Sequence, residues 1–336
     1  MESSRASHRV RRSRRARRSR GRPLLLSALA VVAVGGVTAG GTVYVKARTH
    51  SGAGAVSSAG SPSASSSATA GEEAASVEPS TSPSAVERKA VDRKASLAKA
   101  MAAVSVPSGA EVSVAVQGLE PASGESAVYG EAAFDTASIV KVDILAALLL
   151  QAQDAGRRLT ASDKAYAAKM IENSDNDSAT ALWRAIGRAD GLDAANRRFG
   201  LTGTSGGSGD LWGLTQTTAA DQLALLRQVF REEPESEPGS KPVLSAASRA
   251  YVQGLMKRVE ADQQWGVSAA AAGGSWALKN GWLPRSTTGL WVVNSIGRVT
   301  VDGAEYLVAV LSRGTESQRE GIALVEAAAK AAVSSF

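Results

Sequence analysis

The run "IVKVDILAALLL" at residues 139–150 is apolar on every face of a helix, with Lys141 and Asp143 as its only charged side chains. A helix without a polar stripe has nowhere to sit but inside a packed core, so the rest of the fold must enclose this segment. An unpaired ammonium in such a place costs several kcal/mol or loses its proton, so Lys141 needs a partner or a chemical task. Ser138 precedes it by three positions, which puts both side chains on one helical face. A desolvated lysine with a lowered pKa can take the proton of a serine hydroxyl, and a helix N-terminus favours negative charge developing nearby. Ser-x-x-Lys alone is a weak pattern. Ser96-Leu97-Ala98-Lys99 repeats it in a polar, amphipathic stretch where Lys99 is expected simply to be solvated.

What the chain lacks narrows the chemistry further. It has no cysteine, and its two histidines, His8 and His50, both precede the region able to form a core. Disulfides, thiolate metal sites, histidine-ligated metals and a Ser-His-Asp triad are therefore excluded from the folded part. No metal or other cofactor is expected. A hydrolase in this chain must use another base, and lysine is the candidate.

Residues 1–22 hold ten arginines and one glutamate, a charge of +9 in a chain of net +6, which leaves −3 for everything after them. The basicity belongs to the tail, and no nucleic-acid partner is expected. Residues 23–45 carry no charge. At about 1.5 Å per residue they are long enough to span a bilayer core of about 30 Å. The arginine excess would hold the tail in the cytoplasm and place the remainder outside the membrane. The run is read as a single-pass anchor in the cell membrane, the alternative being a signal sequence cleaved after Ala39, which would release a secreted protein. Residues 46–85, dominated by Ser, Ala, Gly and Pro, read as a disordered stalk, and residues 86–336 as the globular domain.

Within that domain a first helix is expected from Val86 to about Val104, then a hairpin from "EVSVAVQGLE" and "ESAVYGE" with its turn at 121–124. Helices are expected over 138–155, 161–172, 177–186, 193–199, 218–230 and 245–259. Three strands follow, "SWALKNGWL", "LWVVNSIGRV" and "AEYLVAVLS", and a last helix behind a capping box at Thr315-Glu316-Ser317-Gln318. Strands at both ends around a helical middle predict an α+β fold: an antiparallel sheet of about five strands flanked by terminal helices, an all-helical lobe, and an active site between them.

Two more motifs stand in order behind Ser138/Lys141: Ser174-Asp175-Asn176 between two helices, and Lys279-Asn280-Gly281 on a strand. Each has an ordinary explanation alone, as a helix cap, a turn or a solvated strand residue. As an ordered set, over roughly residues 96–333, they closely resemble the class A β-lactamases and penicillin-recognising serine hydrolases. The resemblance implies Ser138 as nucleophile, Lys141 as base and proton relay, Ser174 as the group passing that proton to the departing nitrogen, and Lys279 as positive potential for a substrate carboxylate. It implies substrate binding by Asn176, Asn280, Gly281 and Trp282, an oxyanion hole from the backbone N–H groups of Ser138 and Trp282, and a structural role for Asp175. The implied substrate is a β-lactam, or the D-Ala-D-Ala-type peptide it mimics, handled by a monomer.

The departures matter as much. Asn280 stands where a threonine or serine hydroxyl usually helps bind the carboxylate. In the loop that normally supplies the deacylating glutamate, "GLTGTSGGSGDLWGLT" at 200–215, Asp210 is the only acid and so the one candidate for deacylation. The chain is read as a serine hydrolase that acylates readily and deacylates slowly. Its rivals are a cell-wall D,D-peptidase, or penicillin-binding protein, and a non-catalytic wall-binding module of the same fold.

Overall fold

The computed structural model describes residues 85–119, 125–231 and 243–336. The tail, apolar run and stalk expected over 1–85 lie outside them except for Ala85, which is the first residue of a helix, and so does the hairpin turn at 121–124. Strands β1 (Glu111–Gly118) and β2 (Ser126–Tyr129) form the expected antiparallel hairpin. β3 (Phe134–Asp135) and β4 (Gln216–Thr217) make a separate two-stranded ribbon, and β5 (Trp276–Pro284), β6 (Trp291–Val301) and β7 (Ala304–Thr315) complete a five-stranded antiparallel sheet in the order β2-β1-β7-β6-β5. The fold is α+β, as the order of elements predicts. β6 turns into β7 through Asp302 and Gly303, both at positive φ (50° and 86°), a two-residue connection whose twist suits a hairpin.

β7 lies at the centre and is buried on both faces. Val308 and Val310 pack with Leu97 of α1 (Ala85–Met101) and Leu324 of α8 (Gln318–Ser334), which cover one side of the sheet. Leu307, Ala309 and Leu311 face the other core, shared with α6 (Ala219–Phe230) and the helical lobe of α2 (Val140–Asp154), α3 (Ala161–Glu172), α4 (Asn176–Ala185), α5 (Arg188–Phe199) and α7 (Ala246–Met256). A strand covered twice reads as an unbroken apolar run, as "LVAVL" does. α2 is the axis of the lobe, with every residue from Val140 to Leu150 buried.

Three local expectations are corrected. Ser138 lies in a 3-10 turn, Ala137–Ile139, and the α-helix proper begins after it. α5 starts at Arg188 and not at Asp193; the missing Cβ of Gly191 is what lets the first turn pass the Ile186 carbonyl, where a methyl would stand 1.7 Å from the oxygen. The cap of α8 sits two residues later than expected. Ser317 Oγ accepts from Glu320 N at 3.2 Å and Glu320 Oε2 accepts from Glu316 N at 2.8 Å, while Thr315 stays paired in β7.

Candidate active site

The turn bearing Ser138 is held from three sides. Thr136 N donates to Thr215 O at 2.8 Å, tying it to the loop behind β4. Asn294, fully buried on β6, donates through Nδ2 to the carbonyls of Asp135 (2.9 Å) and Thr136 (3.0 Å) and accepts Ser312 N on its Oδ1 at 3.0 Å. From β5, Gly281 comes so close that a Cβ would lie 2.6 Å from Ser138 N. Ala137, immediately before the serine, is held at φ 47°, a conformation costly for a residue with a side chain. The turn is thus over-determined by its surroundings, and Ser138 is presented half-buried at the junction of sheet and lobe.

Two buried amines converge there. Lys141 Nζ lies 2.9 Å from Ser138 Oγ, 2.6 Å from Ser174 O, 3.1 Å from Ser174 Oγ and 2.8 Å from Asn176 Oδ1. Burial lowers its pKa to about 7 against the opposing pull of Asp175. A neutral amine has two hydrogens and one lone pair. The Ser174 carbonyl and Asn176 Oδ1 can only accept, so they take the hydrogens and leave the lone pair for the Ser138 hydroxyl proton. Lys279 Nζ, also fully buried, donates to Ser174 Oγ at 3.0 Å and to Asn280 O at 2.9 Å. Burial first, and then the charge of Lys141, hold its pKa well below the ordinary lysine value. Ser174 itself sits at φ 56° with its Oγ between the two nitrogens, 3.1 Å from Lys141 Nζ and 3.0 Å from Lys279 Nζ. By contrast Ser96 and Lys99 are both exposed on α1, so the second copy of the motif is a coincidence of spacing.

A family model described as the beta-lactamase enzyme family matches residues 150–336. The chain is a member of that family. The matched span takes in Ser174, Asn176 and Lys279 and begins after Ser138 and Lys141, whose place is given by the geometry above. Among solved structures, a variant of PBP-A captured as an acyl-enzyme with penicillin G is 20% identical with a TM-score of 0.57, covering 70% of this chain and 94% of that one. The TLA-1 extended-spectrum β-lactamase is 16% identical at TM-score 0.59 (72% and 97% covered), and a β-lactamase from Xanthomonas campestris pv. campestris 21% identical at 0.56 (72% and 97%). At these identities the likeness is one of fold. No curated protein sequence matches the chain.

In this β-lactamase-family site the other expected residues divide. Asp175 caps α4, accepting Ser178 N at 2.8 Å, and hydrogen bonding from Ser178, its side chain first and its backbone N–H second, keeps its pKa below the usual carboxylate value. Gly281 and Trp282 follow Lys279 along β5 beside the serine turn, and Trp282 packs on Trp265 with ring centroids 5.8 Å apart. The expectation for Asn280 is corrected. Strand alternation turns its side chain to the face opposite Lys279, where Nδ2 donates to Gln263 O (2.8 Å) and Trp265 O (2.9 Å) and pins the 261–271 loop to β5. The expectation for Asp210 is corrected as well. Arg184 and Arg188 bind it at 2.5 Å and 3.1 Å, hydrogen bonds that lower its pKa to about 2, and it has no hydrogen bond to Ser138, Lys141, Ser174 or Lys279. A carboxylate so stabilised is a poor base for water.

Sequence reasoning missed Asn294 and Trp212. A lone amide in the buried run "WVVNSI" signals a polar group that must find partners, and Asn294 was detectable in that way. Trp212 carried no such signal. Its ring lies over Lys141 Nζ at 4.8 Å from the centroid, and its Nε1 donates to Thr180 Oγ1 at 3.1 Å. The same indole lines a cleft of about 540 Å³ between the 210–214 loop and the end of β5, with Leu211, Leu283, Pro284 and Arg285 among its walls. Among the described residues no three His, Cys, Asp or Glu side chains gather to hold a metal ion.

Proposed function

We propose that the chain is a membrane-anchored, extracytoplasmic serine hydrolase that forms an acyl-enzyme on Ser138 with β-lactams. The observation that carries this reading is the 2.9 Å contact between Lys141 Nζ and Ser138 Oγ in a buried pocket without histidine. Lys141 takes the hydroxyl proton as Ser138 Oγ bonds to the lactam carbonyl carbon, and the oxyanion forms against the N–H groups of Ser138 and Trp282. When the C–N bond breaks, the proton held on Lys141 passes through Ser174 Oγ to the departing nitrogen, leaving a serine ester. Hydrolysis of that ester needs a base to aim water, and Asp210 is committed to two guanidiniums. Deacylation is therefore slow, which favours a second reading: a penicillin-binding protein or D,D-peptidase whose natural donor is a D-Ala-D-Ala-type peptide.

Labelling the purified full-length protein with a reporter penicillin, followed by mass spectrometry, tests the central claim. A stoichiometric burst and a lasting adduct on Ser138 are expected. No adduct would overturn the acyl-enzyme reading, and rapid multiple turnover would overturn slow deacylation. The anchor rests on the uncharged run at 23–45 behind the arginine-rich tail, and is tested by membrane fractionation. A soluble form beginning near Gly40 would show a cleaved signal instead.

A further inference from the structure

Trp212 stands between two environments. One side of the indole meets the Lys141 amine, and the ring also lines the open cleft. Its position is held at several points. Nε1 donates to Thr180 Oγ1, which in turn donates to Asn176 O at 3.0 Å, so the ring is tied to the turn that carries Ser174 and Asn176. After the indole the backbone returns to the nucleophile turn, through the Thr136–Thr215 bond and the pairing of Asp135 with Gln216. Before it, Asp210 is clamped by Arg184 and Arg188, and Trp183 Nε1 donates to Gly209 O at 2.7 Å. A large ring fixed so firmly at a cleft wall, beside a buried amine, has a consequence for water.

We propose that the Trp212 indole is a partition between the substrate cleft and Lys141: it keeps the amine dry for acylation and blocks the path of hydrolytic water to the serine ester from the loop side. Trp212 is thus a positioning residue, and the inference rests on the acyl-enzyme reading of Ser138. The partition accounts for two features at once. Lys141 is buried although an open cleft lies beside it, and the loop that flanks the ester offers an aromatic plate in place of a carboxylate. The ring face also attracts an ammonium, but burial is the larger influence on Lys141. The other groups facing the amine are Ser138 on its turn, Ser174, Asp175 and Asn176 between α3 and α4, and Lys279 on β5. None of them changes when Trp212 is replaced, so a shift in the titration of Lys141 reports the loss of the ring.

The test uses the full chain with Trp212→Ala, Trp212→Phe and Thr180→Val. The titration of Lys141 is read by isotope-coded acetic anhydride labelling and mass spectrometry, which needs no β-lactam. Acylation by a reporter penicillin against pH, and the lifetime of the adduct, are read separately. Trp212→Ala should move the Lys141 midpoint and the acid limb of acylation up by about one pH unit, lower acylation at pH 7 about fivefold, and shorten the adduct lifetime about tenfold. Trp212→Phe, which keeps an apolar plate, should stay within about threefold of the parent. Thr180→Val, which frees the indole edge, should shorten the adduct lifetime severalfold. An unmoved Lys141 midpoint in Trp212→Ala overturns the partition. If that variant does not fold, an unchanged adduct lifetime in folded Thr180→Val overturns it. A parent protein that forms no adduct would refute the acyl-enzyme reading alone, because the Lys141 midpoint would still judge the shielding.

Discussion

Gly281 lies against the amide of Ser138, where a Cβ would stand 2.6 Å from Ser138 N and 2.8 Å from Ile139 N. Backbone meets backbone here, and neither side has a flexible group that can give way. Gly281→Ala should push β5 off the nucleophile turn and misplace the N–H groups that face the developing oxyanion. Loss of such a donor costs about 3–4 kcal/mol of barrier, so acylation should fall by about 10²–10³-fold. Stopped-flow acylation with a chromogenic cephalosporin, with circular dichroism to confirm the fold, measures it; acylation within threefold of the parent would refute the arrangement.

Lys141 serves as a base only when neutral, and burial brings its pKa to about 7. The acylation rate should rise about tenfold per pH unit below pH 7 and level off above it. Lys141→Ala and Ser138→Ala should each cost at least about 10²–10⁴-fold, whereas Lys99→Ala on the exposed face of α1 should change nothing. A flat pH profile would remove Lys141 from the base role.

Asp210→Ala should not slow the decay of the acyl-enzyme, because its carboxylate already bonds Arg184 and Arg188 and activates no water; any change, from loosening the loop that carries Trp212, should be toward faster decay. Adduct half-lives of the two proteins, followed by mass spectrometry, decide this. A tenfold longer half-life in the variant would restore Asp210 as the base that activates water.

Asp143 is fully buried on α2, and neither of its oxygens nor either amide atom of the nearby Asn196 meets hydrogen-bond geometry. Burial above all, reinforced by Asp193 and Asp221 and opposed by Asn196, raises its pKa to about 8 from an ordinary value of 3.8. Between those limits the unfolded chain is ionised there and the folded one is not, so unfolding releases a proton and rising pH favours it. The stability advantage of Asp143→Asn should therefore grow as pH rises from about 4 to about 8, to on the order of 3–5 kcal/mol, and then stay level. Urea melts of both proteins across this range provide the check; a constant difference would mean that Asp143 is already ionised in the folded chain.

The sequence by itself determined what depends on short spacings. Residues 139–150 had to be a buried helix, Ser138 had to stand one turn ahead of Lys141 at its entry, and the absence of histidine left lysine as the base. The order of strands and helices was legible for the same reason, since periodicity is a local property, and the motif set named the fold family. What only the tertiary structure decided lies at contacts between distant segments. Lys279 reaches Ser174 across 105 positions of sequence. The side chain of Asn280 is turned away from the site by the pleat of β5 and by loop carbonyls that compete for its amide. Asp210, the loop's only acid, is claimed by Arg184 and Arg188. Trp212, one aromatic in a glycine-rich stretch, comes to rest over Lys141 because Thr180 and the β3–β4 ribbon hold the loop there. Spacing along a chain specifies which residues share an element, but the partners of a buried charge are set by packing, where each group's free energy depends on all that surrounds it.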